Sequence, residues 1–178
     1  MTTIYSFAPI VPEHARVLIL GSMPGQASLD AGQYYAHSRN SFWFILEQLF
    51  SQQKNMEYEQ RKQMLLDNHI AVWDVLQACV RPGSLDSAID PGSIVTNDFV
   101  GLFTQQPTIT HVFFNGARAQ QEYDRHVLPL VTDNFSSLNY QRLPSTSPAH
   151  AAMSREEKME EWKVVKMQAL QCDVEPKL

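Results

Sequence analysis

The sequence predicts an α/β fold in which a parallel β-sheet has helices on both faces. Short apolar runs typical of buried strands alternate with stretches in which apolar residues recur at helical spacing. Turn-forming segments separate these elements, so that four strands and the helices between them alternate along the chain. This alternation favours parallel strands joined by crossover helices. Because such folds bind ligands at the carboxyl ends of their strands, the loops that follow the strands are the first places to search for a site.

Four short segments have the composition of buried strands. The first, residues 16–20, reads RVLIL and opens into a glycine-flanked loop. The second is expected at residues 70–75 (IAVWDV), the third at 111–115 (HVFFN) and the fourth at 138–143. All are rich in the β-branched and aliphatic or aromatic residues that fit a sheet buried on both faces.

Helices are expected between and after these strands. The first shows the i, i+3, i+4, i+7 spacing from Phe42 to Leu49, with Asn40 or Ser41 placed to cap it. A polar helix follows from about residue 57 to 68. Later helices carry apolar faces formed by Phe99, Leu102 and Phe103, by Ala119, Tyr123 and Val127, and by Met159, Trp162 and Val165. A capping box of Ser154 and Glu157 begins the last one.

Composition limits the classes of function. The chain has 178 residues, of which 44% are hydrophobic and 19% charged, so we expect one domain over residues 1–178, and a monomer. No segment approaches the roughly 20 apolar residues of a membrane span. The N-terminal residues lack the basic start and apolar run of a secretory signal, and a cytoplasmic location is therefore expected.

No metal and no cofactor is expected. Cys79 and Cys172 lie far apart and outside any CxxC pair, and the six histidines show no HxxxH or HExxH spacing. The net charge of −5 is unusual for a protein that follows a nucleic-acid backbone. A local patch is nevertheless enough for a protein that contacts a few phosphates around one extruded nucleotide.

The loop after the first strand carries an unusual motif. It begins as GSMPG at residues 21–25 and continues to YYAHSRN at residues 34–40. The second segment combines two aromatic rings, a cation and an amide just before a helix, which are the groups that an extruded base and its phosphate require. The structural alternative makes Tyr34 and Tyr35 core or rim aromatics and Asn40 a helix cap.

Two further loops are candidates for function. The last strand runs into PSTSPAHA, whose hydroxyls and backbone N–H groups suit a phosphodiester and whose tip suits insertion into a duplex. The alternative for this segment is a plain rigid loop. The turn-rich loop at residues 81–93 is of the long kind that often carries function, and Ser84 and Asp86 in it are candidates to line a pocket.

Together these motifs resemble the uracil–DNA glycosylase superfamily, most closely its DNA-deoxyinosine (hypoxanthine) glycosylase branch. The matching segments, in the expected order, are LILGSMPG, QYYAHSRNSFWFIL, VWDVLQACVRPGSLDSAI, TNDF, FFNGARA and LPSTSPAHA. The resemblance implies a three-layer α/β/α sandwich with a central, mainly parallel four-stranded sheet. It also implies a metal-free, monofunctional N-glycosylase that acts on DNA containing deaminated bases, releases the free base and leaves an abasic site for base excision repair.

The resemblance implies roles for individual residues. Tyr35 falls on the aromatic that stacks on the flipped base, and Asn40 on the asparagine that this branch uses in catalysis. Asp74 falls where relatives keep an asparagine that reads the base edge, and Asn115 closes the third strand near the same pocket. The other expected substrate-binding residues are Gly21, Ser22, Met23, Pro24, Ser145 and Ser147. The residues expected to contact DNA are Arg39, Arg81, Ser147, Pro148, Ala149 and His150.

Two departures from the superfamily pattern affect the mechanism. Met23 stands where other branches have a water-activating Asp or Asn, and Ser145 stands where they have a histidine that stabilises the leaving group. The catalytic role therefore falls on Asn40. An amide can accept a hydrogen bond from the attacking water while donating elsewhere, and one preorganised group of this kind contributes about 3 kcal/mol in a transition state.

Other functions stay open at this point. The same scaffold fits a mismatch-type uracil-DNA glycosylase, and sequence does not rank hypoxanthine, uracil and xanthine as substrates. It also fits a non-catalytic nucleic-acid-binding domain, since fold does not fix function. A serine hydrolase that uses Ser145 or Ser22 is disfavoured because the chain has no GxSxG elbow.

Overall fold

A parallel four-stranded sheet lies between two layers of helices. The computed structural model describes residues 2–171. In chain order the strands are β1 (Thr3–Tyr5), β2 (Val17–Gly21), β3 (Ile70–Asp74), β4 (Leu76–Val80), β5 (Val95–Thr96), β6 (His111–Asn115) and β7 (Asn139–Leu143). The helices are α1 (Gln26–Ala31), α2 (Phe42–Phe50), α3 (Tyr58–Asp67), α4 (Phe99–Gln105), α5 (Ala117–His126), α6 (Leu128–Val131) and α7 (Arg155–Ala169).

The central sheet has the order β3-β2-β6-β7, and all its neighbours pair in parallel. Alternate residues of each strand point to opposite faces, as the period of two requires. Leu18 and Leu20 pack with α4, α5 and α6, whereas Val17 and Ile19 pack with α2, α3 and α7. The predicted α/β/α class with a four-stranded parallel sheet is confirmed.

A second, antiparallel sheet of three short strands was not predicted. Its order is β1-β4-β5, and β1 pairs with β4 from Thr3↔Val80 to Tyr5↔Ala78. The expected strand at residues 70–75 ends one residue earlier, at Asp74, whose pairing with Gly21 is the last between β2 and β3. The chain bends at Val75, and β4 then pairs with β1 and β5 instead of with the parallel sheet. Cys79 is buried in β4, and Cys172 lies outside the described residues.

Two short helices also escaped prediction. α1 has six residues and ends at Gly32, whose positive φ of 63° stops the helix. α6 has four residues and follows α5 almost directly. Helices of one or two turns carry too little periodicity to stand out in a sequence. No helix within residues 2–171 is both long and apolar enough to cross a bilayer.

Strand register brings the predicted site residues to one edge of the sheet. Gly21 is paired with Asp74 across β2 and β3, and Asn115 is paired with Leu143 across β6 and β7. All four residues end their strands, so the loops that follow them meet at the carboxyl edge.

Candidate active site

A cavity of about 490 Å³ opens at this carboxyl edge. It is lined by the loop after β2, the segment 34–40, residues 84–86, the ends of β3 and β6, and the loop after β7. Every residue expected to bind substrate lies in this lining, namely Gly21, Ser22, Met23, Pro24, Tyr35, Asp74, Asn115, Ser145 and Ser147. Asn40 lines it as well. Its volume lies in the range of ordinary small-molecule sites.

Gly21 allows two polar side chains to approach the end of β2. A Cβ atom at this position would lie 2.6 Å from Oδ1 of Asp74 and 3.0 Å from the hydroxyl oxygen of Tyr35. Both distances are too short for a carbon atom, so a side chain here would displace both groups. The glycine therefore maintains the space in which Asp74 and Tyr35 meet.

Asp74 is a buried carboxyl group with an unpaired oxygen. The residue is 3% exposed, and its Oδ2 has no hydrogen-bond partner within residues 2–171. Burial raises the pKa of Asp74 to about 7; the Asp86 carboxylate adds to this rise and the Arg81 guanidinium opposes it. An unpaired buried polar group costs stability, and groups of this kind concentrate at functional sites.

The charged neighbours of Asp74 come from the loop after β4. Asp86 accepts a 2.6 Å hydrogen bond from Ser22 Oγ, and its Oδ1 lies 3.6 Å from Nη1 of Arg81. Burial raises the pKa of Asp86, while the Ser22 hydrogen bond and Arg81 lower it. Two carboxyl groups therefore share this side of the cavity with one guanidinium.

The phosphate contact predicted for Arg81 is wrong. Its side chain is fully buried, and it donates to the carbonyl oxygens of Gly83 at 2.9 Å and Pro24 at 2.5 Å. These bonds tie the loop at residues 81–86 to the loop after β2. Sequence placed Arg81 in a turn-rich loop, where a cation is usually solvated; only the fold shows that the loop closes over it.

The two neighbouring tyrosines have different surroundings. The hydroxyl of Tyr34 donates to the carbonyl of Ala8 over 2.9 Å, and its ring is buried, so Tyr34 belongs to the core. Tyr35 lines the cavity with a left-handed φ of 55°, and its ring stacks on Phe42 with 3.8 Å between centroids. Burial and the nearby Asp74 raise the pKa of its hydroxyl. Strained backbone of this kind persists where surrounding structure enforces it.

Asn40 is both a helix-start residue and a cavity residue. Its Oδ1 accepts a 3.0 Å hydrogen bond from the backbone N–H of Phe42 at the start of α2. The carbonyl oxygen keeps a second lone pair, and Nδ2 has no hydrogen-bond partner in the part of the chain that the structure describes. Ser41 occupies the N-cap position of α2, and Asn40, one residue before it, both accepts from the Phe42 N–H and lines the cavity.

Asn115 clamps the loop that follows β7. Its Nδ2 donates to Oγ1 of Thr146 and its Oδ1 accepts from the backbone N–H of Thr146, both over 2.9 Å. Thr146 is fully buried, and its carbonyl accepts from Ser41 N–H at 2.9 Å, which connects the loop to α2. Thr146 was not predicted as a site residue, although its position between Ser145 and Ser147, which were predicted, could have indicated it.

Lys158 of α7 binds the backbone of the same loop. It is 3% exposed, and its Nζ donates to the carbonyls of His150 at 2.8 Å and Ser147 at 3.4 Å. Burial lowers the pKa of its ammonium group. Lys158 was also missed, although it lies one turn before Trp162 on the inward face of the helix.

The remaining residues expected to contact DNA lie in the segment 34–40 and in the loop after β7, and both segments contribute residues to the cavity wall. Arg39 and Ala149 are exposed, and Ser147, Pro148 and His150 are partly exposed. All of these except Arg39 line the cavity. Contact of these residues with DNA remains a prediction. No group of three His, Cys, Asp or Glu side chains among residues 2–171 is arranged to hold a metal ion.

Comparison with known proteins decides the family. The family model of the Uracil DNA glycosylase superfamily matches residues 8–171. The chain belongs to this superfamily. A protein of Methanosarcina acetivorans named hypoxanthine DNA glycosylase is 35% identical over 162 residues, which cover 89% of this chain and 95% of that protein. A second protein of this name, from Methanosarcina barkeri, is 36% identical over 114 residues, which cover 64% of this chain and 71% of that protein.

A solved structure supports the same assignment. The solution NMR structure of a candidate uracil DNA glycosylase from Methanosarcina acetivorans superposes with a TM-score of 0.78 at 32% identity. The match covers 96% of this chain and the whole of that one. The predicted superfamily, its fold and the DNA glycosylase class are therefore confirmed.

Proposed function

We propose that this superfamily member hydrolyses the N-glycosidic bond of deoxyinosine in DNA, releasing hypoxanthine and leaving an abasic site. The observation that carries the proposal is the unpaired, buried carboxyl of Asp74 beside Tyr35 in the cavity. The two Methanosarcina proteins that bear the name hypoxanthine DNA glycosylase support this choice of base.

Asp74 suits the edge of a deaminated base. Hypoxanthine presents a keto oxygen, which accepts, beside a ring N–H, which donates. A protonated carboxyl has one donor and one acceptor, as the asparagine amide of relatives does. With a pKa of about 7, Asp74 is neutral in a large fraction of molecules at neutral pH. Tyr35, whose ring lines the cavity, supplies the aromatic surface on which the extruded base stacks.

The reaction needs stabilisation of a leaving base rather than a strong nucleophile. Water adds to C1′ as the C1′–N9 bond breaks through an oxocarbenium-like state, and the released purine takes up the proton that water loses. Negative charge develops on the purine, and the O–H of protonated Asp74 stabilises it. The free lone pair of Asn40 Oδ1 orients the water.

Uracil is the second candidate base. It presents the same keto oxygen and ring N–H to Asp74, and the similar solved structure is that of a candidate uracil DNA glycosylase. A pocket that accepts a purine also has room for the smaller pyrimidine, although uracil fills it less completely. We therefore expect cleavage of deoxyinosine to exceed cleavage of deoxyuridine.

Single-turnover cleavage tests the proposal. Duplexes containing one deoxyinosine, deoxyuridine or deoxyxanthosine are incubated with excess enzyme, and abasic sites are revealed by alkali. We expect Asn40→Ala to lower the rate with deoxyinosine by about 10²–10³-fold, the loss typical of one preorganised transition-state group. Asn134→Ala, at an exposed position away from the cavity, is the matched control.

Asn40→Asp separates catalysis from helix capping. The carboxylate keeps the acceptor for the Phe42 N–H, so the free energy of unfolding should change little. A capping residue alone would leave the cleavage rate at the wild-type value in this variant. Wild-type rates in Asn40→Ala would overturn the role of Asn40, and no strand break in any of the three duplexes would overturn the proposed function.

A further inference from the structure

A second cavity, of about 300 Å³, lies next to the candidate active site. Its walls are the segment 35–40, the start of α2, the loop that follows α2, and Arg155 at the start of α7. We call it the cationic groove, after its Lys54, Arg61 and Arg155 side chains. Tyr35 and Asn40 line both cavities, so the groove begins where the active site ends.

The carboxylate in the groove wall, Glu47, already has its ion-pair and hydrogen-bond partners within the protein. Glu47 is 4% exposed and accepts from the backbone N–H groups of Asn55 at 3.1 Å and Met56 at 3.2 Å. Its Oε1 also forms a 2.7 Å ion pair with Nε of Arg61. Glu47 and Arg61 therefore compensate each other and hold the loop after α2 in place.

Lys54 and Arg155 are left without such compensation. Both side chains are exposed, and neither forms an ion pair with another of residues 2–171. The guanidinium of Arg155 lies 5.1 Å from the ring centroid of Phe44, which orients it. Arg155 is also the first residue of α7, where the helix dipole disfavours a cation, so it does not stabilise the helix in this way.

This local excess of positive charge contrasts with the chain as a whole, whose net charge is −5. A nucleotide extruded into the active site remains joined to its neighbours by phosphodiesters. Successive phosphates of one strand are only about 3.4 Å apart along a DNA helix axis, so a neighbouring phosphate must lie close to the cavity mouth. The groove, which shares Tyr35 and Asn40 with the active site, holds its cations beside that mouth.

We propose that Lys54 and Arg155 bind the backbone phosphate of the damaged strand next to the extruded nucleotide. This inference rests on the proposed function, because it requires a nucleotide in the active site. The contact positions the strand and reads no sequence. It also explains how an acidic protein binds DNA: the cations are concentrated beside the site where one nucleotide leaves the stack.

Single-turnover titrations at several salt concentrations test the groove. The rate of cleavage of a deoxyinosine duplex is measured against enzyme concentration for Lys54→Ala and Arg155→Ala. We expect each variant to raise the half-saturating enzyme concentration roughly five- to tenfold and to reduce the salt slope by about one. Arg155→Lys retains a charge and should recover part of the loss.

Matched variants control for the loss of a positive charge at any position. Lys166→Ala and Arg125→Ala remove exposed cations outside both cavities and should leave half-saturation and salt slope near the wild-type values. Equal effects in the groove variants and these controls would overturn the inference while leaving the proposed function intact. Absence of cleavage by the wild-type protein would instead remove the proposed function.

Discussion

Asp74 and Asn115 end the two strands that flank β2, and both side chains line the active-site cavity. On the β6 side, both ends of the Asn115 amide are bound to Thr146 at 2.9 Å. On the β3 side, Oδ2 of Asp74 has no partner among residues 2–171. Two polar residues at equivalent ends of the strands on either side of β2 thus have opposite hydrogen-bonding states.

This difference suits Asn115 to a structural role and leaves Asp74 available to a ligand. A satisfied amide contributes to stability and fixes the loop after β7, whereas an unpaired buried carboxyl lowers stability in the free protein. Under the proposed function, the Asp74 carboxyl acquires its partner when the base enters, so that the cost is offset only in the complex. We therefore expect substitutions at Asp74 to change activity most, and substitutions at Asn115 to change stability most.

Removal of the Asp74 carboxyl should have the largest effect. We expect Asp74→Ala to lower single-turnover cleavage of deoxyinosine DNA by about 10²–10³-fold, because the donor to the leaving base is lost. Asp74→Asn should retain much of the rate, since the amide also donates and accepts. Rates are measured with saturating enzyme, and circular dichroism confirms the fold. Equal cleavage rates in Asp74→Ala and Asn115→Ala, with the unfolding free energy of both variants unchanged, would contradict the distinction between the two residues.

The titration of Asp74 should make stability depend on pH. Its pKa is raised from 3.8 to about 7, so the folded state binds the proton more tightly than the unfolded state. The resulting stability is fully present below pH 3.8 and is lost as pH rises through 7. Asp74→Asn removes this term, and its stability relative to the wild type should increase by roughly 2–4 kcal/mol between pH 4 and 9.

Chemical denaturation at each pH measures this difference. Asp86, whose pKa is also raised by burial, is present in both proteins, so the effect of its own burial cancels in the difference and its interaction with Asp74 belongs to the measured term. A difference in unfolding free energy that stays constant from pH 4 to 9 would show that Asp74 is not a buried acid with a raised pKa.

Loss of the Asn115 amide should affect stability more than chemistry. Asn115→Ala removes two hydrogen bonds and leaves the buried Thr146 N–H and hydroxyl unpaired, for an expected cost of about 1–3 kcal/mol in unfolding free energy. Thr146→Val removes the hydroxyl alone. A double-mutant cycle between these two positions should show coupling, whereas additive effects would mean that the clamp does not hold the loop.

Much of the fold could be predicted from the sequence because strands, helices and caps produce patterns among neighbouring residues. Buried strands at 16–20 and 111–115, the amphipathic spacing from Phe42 and the Ser154 capping box each depend on neighbouring residues. The roles expected of Tyr35, Asn40, Asp74 and Asn115 came from the resemblance to the superfamily. Parallel strands align their carboxyl ends, which is why these residues line one cavity. Side-chain contacts such as Asn115 with Thr146, 31 residues apart, had no comparable signal.

What sequence alone determined was therefore the four strands of the parallel sheet, the longer helices around it and the loops that meet at its carboxyl edge. Tertiary structure decided how each polar group is used. Arg81 was expected to contact DNA and Lys158 was not singled out, yet folding buries both and binds them to carbonyl oxygens. Asp74 differs because, within residues 2–171, no donor from another segment reaches its Oδ2. Burial and hydrogen bonding depend on segments distant in the chain, and periodicity cannot report them.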